Sequence, residues 1–229
     1  MSRKLSELRT AVESYIQNVD AVVESDDIDH TLARAIRVLS QKHPYGVYEE
    51  HTGDGTTTEW VLSTSTWIPG FSKVSLVYYP WDDTDAAVPP PTLDRLTYSV
   101  YEKTAGVFYF KLRVYTPSAS EKIRIHYPSR HAVTETASTI ADEGMEDSAI
   151  LLASAFCLRI MAARAIAKGM SNISADTSDY QSRSSQYLTI AKQYEEESGL
   201  KAYVNMVPAL AARFISCGRK KRVVDTFNA

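Results

Sequence analysis

The spacing of hydrophobic residues at the start of the chain predicts two helices. From Leu5 onward, apolar residues recur at steps of three and four, which places them on one stripe and predicts a first helix over residues 2–24. The acidic segment that follows, residues 24–29, offers side chains that can cap a second helix. We expect Pro44 to end this second helix, because the residue before a proline is driven out of the helical region.

From residue 45 onward the pattern changes and predicts strands. Residues 45–130 contain 15 of the 23 aromatic residues, and β-branched residues alternate with polar ones. Gly and Pro separate the apolar runs, and the short loops favour antiparallel pairing. We interpret residues 53–58 as the tip of a hairpin. The predicted strands are residues 59–67, 73–79, 96–102, 107–115 and 122–127.

Helix-forming residues return after residue 131. Residues 145–168 contain neither Gly nor Pro and are rich in Ala, which predicts a long central helix that ends at Gly169. A capping signal at residues 174–176 predicts the start of another helix, with residues 195–197 on its polar face. We expect the buried face of that helix to carry Tyr180, Tyr187, Ala191 and Tyr194.

This order of elements predicts an α+β fold: a helical bundle formed by both chain ends, with an inserted antiparallel β domain and an extended C-terminal tail. The predicted divisions are residues 1–44 and 132–200 for the two helical pairs, 45–131 for the β domain and 201–229 for a basic C-terminal arm. The longest apolar segment carries Arg159 and Arg164, and the N-terminus has no apolar signal-peptide core. We therefore expect a soluble protein that does not span a membrane.

Charge is unevenly divided along the chain, whose formal net charge is −3. Residues 1–200 hold 19 Lys and Arg against 27 Asp and Glu, a net charge of −8. Residues 201–229 hold six basic residues and a single acidic one, Asp225, a net charge of +5. This polarity predicts a tail that contacts nucleic acid, an acidic partner surface, or the acidic body of a neighbouring copy.

Motifs for catalysis or metal binding do not emerge from the sequence. The glycine-rich segment at residues 53–58 has no following lysine and precedes a strand, which excludes a phosphate-binding loop. The two cysteines, at 157 and 217, are too few for a thiolate metal site. His126 and His131 flank the end of a strand without a third ligand in the adjacent sequence. We expect no metal, no cofactor and no enzymatic activity.

The aromatic residues of the predicted β domain have two interpretations. They either fill the core of a small domain or form a surface on which a ligand stacks, and we expect core packing for most of them. The exception is the tryptophan in front of the acidic loop, a candidate contact with a ligand or a neighbouring subunit. That candidate site comprises Trp81, Asp82, Asp83 and Asp85. The alternative function that follows is a β-domain binding module that recognises a carbohydrate or protein ligand.

The chain resembles the head-to-tail connector (adaptor) proteins of tailed bacteriophages. The resemblance lies in the N-terminal helical pair over residues 5–39, the Ala-rich helix, and the helix that follows it. In that last helix the matching residues are Ile173, Ser174, Ala175, Asp176, Tyr180, Ser184, Tyr187, Ala191, Lys192, Gln193 and Tyr194. Residues 71–80 and 122–131 are similar to β insertions of some phage neck proteins.

This resemblance implies a structural virion protein, assembled in the host cytoplasm, that is not an enzyme. Members of the family form a ring, commonly of twelve copies, beneath the portal, and extend the DNA channel toward the tail. The implied partners are the portal protein, a downstream tail or neck protein and further copies of the chain; DNA passes without specific binding, and no membrane is involved.

The C-terminal segment of these adaptors reaches out to the portal or to a neighbouring subunit. Here that role falls on residues 204–229. The run of four basic residues in this segment is also typical of a nucleic-acid patch, a nuclear-localisation signal or a solvated tail. The partner-binding residues implied are Phe214, Arg219, Lys220, Lys221, Arg222 and Phe227.

Overall fold

The fold, seen in a computed structural model that describes residues 3–17, 23–82, 90–171 and 177–204, is α+β as predicted. The helices are α1 (Leu5–Ile16), α2 (Ser25–Lys42), α3 (Glu143–Ser171), α4 (Thr177–Glu197) and the short α5 (Lys201–Val204). The strands are β1 (Tyr45–Thr52), β2 (Glu59–Val61), β3 (Leu76–Trp81), β4 (Tyr98–Thr104), β5 (Val107–Leu112) and β6 (Lys122–Ser129), with a 3₁₀ turn (Arg95–Thr97) before β4.

Two of the predicted helix ends are wrong. The first helix ends at Ile16 rather than near residue 24, because Gln17 takes the left-handed backbone conformation (φ 45°, ψ 56°) that closes a helix. Residues 18–22 lie outside the described part of the chain. At the other end of the molecule, α3 continues through Gly169 to Ser171, since a single glycine costs a helix only about 1 kcal/mol. The end of α2 before Pro44 is confirmed.

The helices share one apolar core in which α3 contacts α1, α2 and α4. Alanines on α3 are fully buried, which lets neighbouring helices approach it closely. Both arginines of this apolar helix are neutralised by carboxylates of its neighbours. Arg159 Nη2 lies 2.7 Å from Glu195 of α4, and Arg164 Nη2 lies 2.7 Å from Asp27 of α2. The charges that interrupt α3 therefore tie it to two other helices.

Among the described helices, α3 alone is long and apolar enough to cross a membrane, over Glu143–Ala167. Within its most apolar window, 67% of the residues are buried inside the protein. A helix that is apolar on every side and covered by other helices is typical of the centre of a core.

The faces of α4 follow the prediction with one correction. Ala191 is fully buried, and Tyr187 and Tyr194 are partly buried against the helical core, as expected. Glu195, predicted on the polar face, is only 4% exposed. Its burial follows from its ion pair with Arg159, which gives the carboxylate a partner away from water. The side chain of Tyr180 lies outside the described residues.

The strands form two three-stranded antiparallel sheets, sheet A in the order β1-β6-β3 and sheet B in the order β2-β5-β4. Among the described strands, only β4 and β5 are both consecutive and paired. Residues 53–58 therefore link β1 of sheet A to β2 of sheet B, and the predicted hairpin tip is wrong. Gly53 is needed in this link because a Cβ there would lie 2.6 Å from the Pro117 side chain.

Several strand bounds also differ from the prediction. The pattern did not indicate β1, whose sequence carries two Glu and a His. The strand predicted over residues 59–67 stops at Val61, because the chain turns at Ser63, whose carbonyl accepts the Trp67 N–H (2.8 Å). The strand β6 is the clearest case of alternation: Ile123, Ile125 and Tyr127 are buried and the residues between them are not.

A second, separate core lies between the sheets. It is built from side chains of both sheets and of the segment after β2. Its fully or almost fully buried residues are Leu62, Trp67, Val77, Phe110, Leu112, Ile123, Ile125 and Tyr127. The chain then leaves β6 and returns to the helices, where Ile140 is buried in the helical core.

A small group of hydrogen bonds joins the β domain to the helices where the chain leaves β6. The backbone N–H of His131 donates to Ser40 Oγ of α2 (3.0 Å), and the His131 ring nitrogen Nε2 lies 2.9 Å from the carbonyl oxygen of His43. Burial lowers the pKa of His131, so the ring is neutral near neutral pH and Nε2 is the donating nitrogen. Leu5 N–H also donates to the Thr134 carbonyl (3.1 Å).

Candidate partner-binding surface

The outer face of sheet A presents an aromatic and charged surface. Because Ile123, Ile125 and Tyr127 of β6 point into the core, the residues between them point outward. The strand register places Glu50 of β1 and Tyr78 of β3 beside Arg124, and Tyr48 of β1 beside His126. We call this surface the aromatic face; it consists of Tyr48, Glu50, Tyr78, Trp81, Arg124 and His126.

The centre of the aromatic face is the guanidinium of Arg124. Its central carbon lies 3.5 Å from the ring centre of Trp81 and 4.5 Å from that of Tyr48. Its Nε donates to Glu50 Oε1 (2.8 Å), and Nη2 donates to the same oxygen. Each cation–π contact contributes about 0.5–2 kcal/mol, and the carboxylate fixes the plane of the guanidinium. The arrangement therefore holds both rings in place on either side of β6.

The imidazole of His126 continues the same surface toward the other end of the sheet. Its ring centre lies 5.8 Å from that of Tyr48 and 5.4 Å from that of Tyr78, which meets it edge-on at 86°. Burial first, and then the positive charge of Arg124, lowers the pKa of His126. The imidazole is therefore uncharged near neutral pH, and the face carries a balanced Arg–Glu pair among aromatic rings.

Trp81 lies in a different environment from the other two tryptophans. Trp67 is 7% exposed and packs in the core between the sheets, and Trp60 packs against that core. Trp81 instead lies on the outer face of sheet A, against Arg124 and 5.6 Å from the ring of Tyr78. Asp82 follows it and is exposed. Asp83 and Asp85 lie outside the described residues.

The sequence did not single out Tyr48 or Arg124, which complete the face. Tyr48 is 56% exposed, and it lies in β1, the strand that the pattern failed to predict. Arg124 sits between two buried isoleucines, and this alternation was the available signal that it points outward. Their meeting with Trp81 depends on the pairing of β1, β6 and β3, which are far apart in sequence.

A polar cluster on the opposite side of β1 is structural in character. Glu49 accepts hydrogen bonds from the backbone of Ser63 (3.0 Å) and from the hydroxyl of Tyr127. Burial works to raise the pKa of Glu49, but these bonds and the nearby His51 outweigh it and lower the pKa. The ionised carboxylate of Glu49 thus links β1 to the turn after β2 and to the middle strand β6.

Other sequence-derived sites have different outcomes. The partner-binding residues assigned to the C-terminal arm all lie outside the described residues: Phe214, Arg219, Lys220, Lys221, Arg222 and Phe227.

Within the part of the chain that the structure describes, no three His, Cys, Asp or Glu side chains come together as a metal site. Cys157 is buried beside Thr31, its Sγ 3.1 Å from the hydroxyl, and burial raises its pKa to about 11.

The aromatic face has the chemistry of a docking surface. It offers ring faces and edges for stacking, an arginine whose geometry is already fixed, and a tyrosine that is mostly exposed. Tyr, Trp and Arg are the residues enriched where proteins bind other proteins. No protein-family model matches the chain, and no curated protein matches its sequence.

Proposed function

We propose that the protein is a structural component of a tailed-phage virion, a head-to-tail adaptor. In this proposal copies of the chain form a ring, of twelve members, beneath the portal. The ring extends the DNA channel and joins the capsid to a downstream tail or neck protein. Support comes from the resemblance of the two helical segments and the β segment to phage connector proteins.

The proposed architecture assigns residues 1–44 and 132–200 to one bundle, residues 45–131 to an inserted β domain, and residues 201–229 to an extended basic arm. Buried side chains from α1, α2, α3 and α4 belong to a single helical core, which supports the bundle. The strand core between the two sheets is separate, which supports an inserted domain.

The observation that carries the proposal is the division of charge along the chain. A body of net charge −8 and an arm of net charge +5 attract each other. When the arm of one copy contacts the body of the next, the same heterologous contact repeats around an axis and closes into a ring. An acidic body also suits a DNA channel, because it neutralises few phosphates and lets DNA pass.

The aromatic face supplies a second contact for the assembled particle. Within the proposal, Trp81 and Asp82 contact a neighbouring subunit or the downstream neck protein. Arg124 and Tyr48 lie on the same face and contribute to that contact.

Attachment to the portal protein encoded in the same genome tests the role of the arm. Replacing Arg219, Lys220, Lys221 and Arg222 together by Gln removes most of the arm's positive charge, and we expect attachment to be lost. Exchanging Arg and Lys at the same four positions keeps the charge and should preserve attachment. Both variants should keep the circular-dichroism spectrum of the parent protein. Equal attachment of the neutral variant would refute the role of the arm.

A second candidate function, a binding module for a carbohydrate or protein ligand, is favoured by the exposed aromatic rings of sheet A. A glycan array distinguishes it from the first. Saccharide binding that is lost in Trp81→Ala, by a protein that forms no ring with the portal, would favour the binding module.

A further inference from the structure

A basic cleft opens on the β domain, away from the aromatic face. Its volume is about 350 Å³, within the range of roughly 300–1,000 Å³ typical of sites for small molecules. The segment between β2 and β3 forms one wall, and the β4–β5 hairpin with the segments that flank it forms the other. The lining residues that matter here are Trp67, Lys73, Arg95, Tyr98, Phe108 and Arg113.

Positive charge is in excess around this basic cleft. Lys73, Arg95 and Arg113 are all exposed, and no carboxylate is among the lining residues that the structure describes. The nearest acidic neighbour in sequence, Asp94, accepts the Leu96 N–H (3.0 Å) and places one negative charge near Tyr98 at the edge of the cleft. None of the three cations makes an ion pair with a residue that the structure describes. Three unpaired cations around one cavity favour an anionic occupant.

Local structure brings together the chain segments that carry the two arginines. The Arg113 N–H donates to the Thr97 carbonyl (2.8 Å), which extends the pairing of β4 with β5 by one step. Arg95 stands in the 3₁₀ turn immediately before β4, so the two guanidinium groups belong to adjoining chain segments. A guanidinium offers a rigid fork of donors that matches the oxygens of a phosphate.

The floor of the basic cleft is aromatic. The ring centres of Trp67 and Phe108 are 5.9 Å apart, and Tyr98 packs against the same core. Trp67 is 7% exposed, yet its indole N–H is buried and makes no hydrogen bond. A buried donor without an acceptor is destabilising, so a ligand oxygen that reached this N–H would be favoured.

We propose that this basic cleft binds a small phosphorylated organic molecule. Lys73, Arg95 and Arg113 hold the phosphate, and the organic part lies against the aromatic floor. A phosphomonoester is close to doubly charged near neutral pH, so three cations attract it more strongly than they attract a single carboxylate. A long polyanion such as DNA is disfavoured, because the rest of the body is acidic and the cleft is small.

Titration calorimetry of the full chain at low ionic strength tests this proposal with three probes. Adenosine monophosphate carries one phosphate and one flat ring, adenosine lacks the phosphate, and inorganic phosphate lacks the ring. We expect adenosine monophosphate to bind, inorganic phosphate to bind more weakly, and adenosine not to bind.

Variants locate the binding. Arg95→Ala and Arg113→Ala should each weaken adenosine monophosphate binding about tenfold or more, because each removes a charge-assisted hydrogen-bond donor. Trp67→Phe keeps a ring but removes the indole N–H, and it should weaken binding about two- to tenfold. The matched control Arg183→Ala removes an exposed charge on α4, outside the β domain, and it should leave binding unchanged.

The result that would overturn the proposal is equally definite. The proposal is overturned if the protein is folded by circular dichroism but does not bind adenosine monophosphate. It is also overturned if the control substitution weakens binding as much as Arg95→Ala and Arg113→Ala do. Binding of a DNA oligonucleotide or of a dicarboxylate without binding of adenosine monophosphate would also contradict it. The adaptor function is measured separately by portal attachment, and of these results only DNA binding would also count against it, because the proposed channel lets DNA pass.

Discussion

At the scale of single residues, Ser40 occupies the position where the helical core meets the β domain. Its hydroxyl donates to the Ile36 carbonyl (2.7 Å) and accepts the backbone N–H of His131 (3.0 Å). Ser40→Ala therefore leaves an amide at the junction without an acceptor. We expect the free energy of unfolding to fall by about 1–3 kcal/mol, measured by urea denaturation.

Ser154 of α3 provides a matched control for this prediction. It is also fully buried in a helix, and its hydroxyl donates to the Ile150 carbonyl four residues earlier (2.8 Å), but it accepts no hydrogen bond from the described residues of the β domain. Ser154→Ala should change the free energy of unfolding by only about 0.5 kcal/mol. Equal losses in the two variants would mean that the bond to His131 contributes nothing to stability.

Arg124 shows how one side chain organises a surface. Like His126, it belongs to the middle strand β6 and contacts rings on both outer strands of sheet A, and it is also bound to a carboxylate. Neither ring is near it in sequence. The cation–π pair and the bond to Glu50 replace the water that a lone arginine would bind, so the side chain is ordered before any partner arrives.

At the scale of elements, the buried face of α4 yields a stability prediction. Tyr187 is partly buried against the helical core, whereas its neighbour Leu188 is 40% exposed. Tyr187→Ala should lower the free energy of unfolding by about 1–3 kcal/mol, less than the roughly 3–5 kcal/mol of a fully buried aromatic. Leu188→Ala should cost about 0.5 kcal/mol or less. If thermal denaturation gives the same shift for both variants, the assigned face of α4 is wrong.

Helices were easier to predict from the sequence than strands, for a physical reason. The stripe on α2 and the apolar length of α3 are local patterns, and the structure confirms both helices. The end of α1 at Gln17 depends on a backbone conformation that no glycine or proline signals. The strand β1 lacks an apolar alternation of its own, because it gains its order from pairing with β6, some 75 residues later in the chain.

The candidate sites were predictable to different extents. The sequence singled out Trp81 because two aspartates follow it at the start of a long loop, and its contact with a ligand or a neighbour stays a prediction. The basic cleft was not, since Lys73, Arg95 and Arg113 come from three separate segments and are single cations in each. Such a cluster exists only once the two sheets pack, and no spacing along the chain reveals it. The buried Glu195 was missed for the same reason, because its partner Arg159 lies on another helix.

At the scale of the whole molecule, the proposed adaptor separates its tasks between parts of the chain. The helical core provides rigidity, with ion pairs from α2 and α4 holding the central helix α3. The β domain presents the aromatic face and the basic cleft. The C-terminal arm has a net positive charge, whereas the rest of the chain has a net negative charge. In a ring, this division lets one surface bind a neighbour while another remains available for a different partner.

Electron cryo-microscopy of the full chain mixed with the portal protein from the same genome tests the central claim most directly. The account predicts a closed ring of identical copies beneath the portal, with residues 201–229 of each copy in contact with the portal or with the adjacent copy. Particles that remain single, with that segment folded back on the helices of its own chain and no density added to the portal, would contradict it.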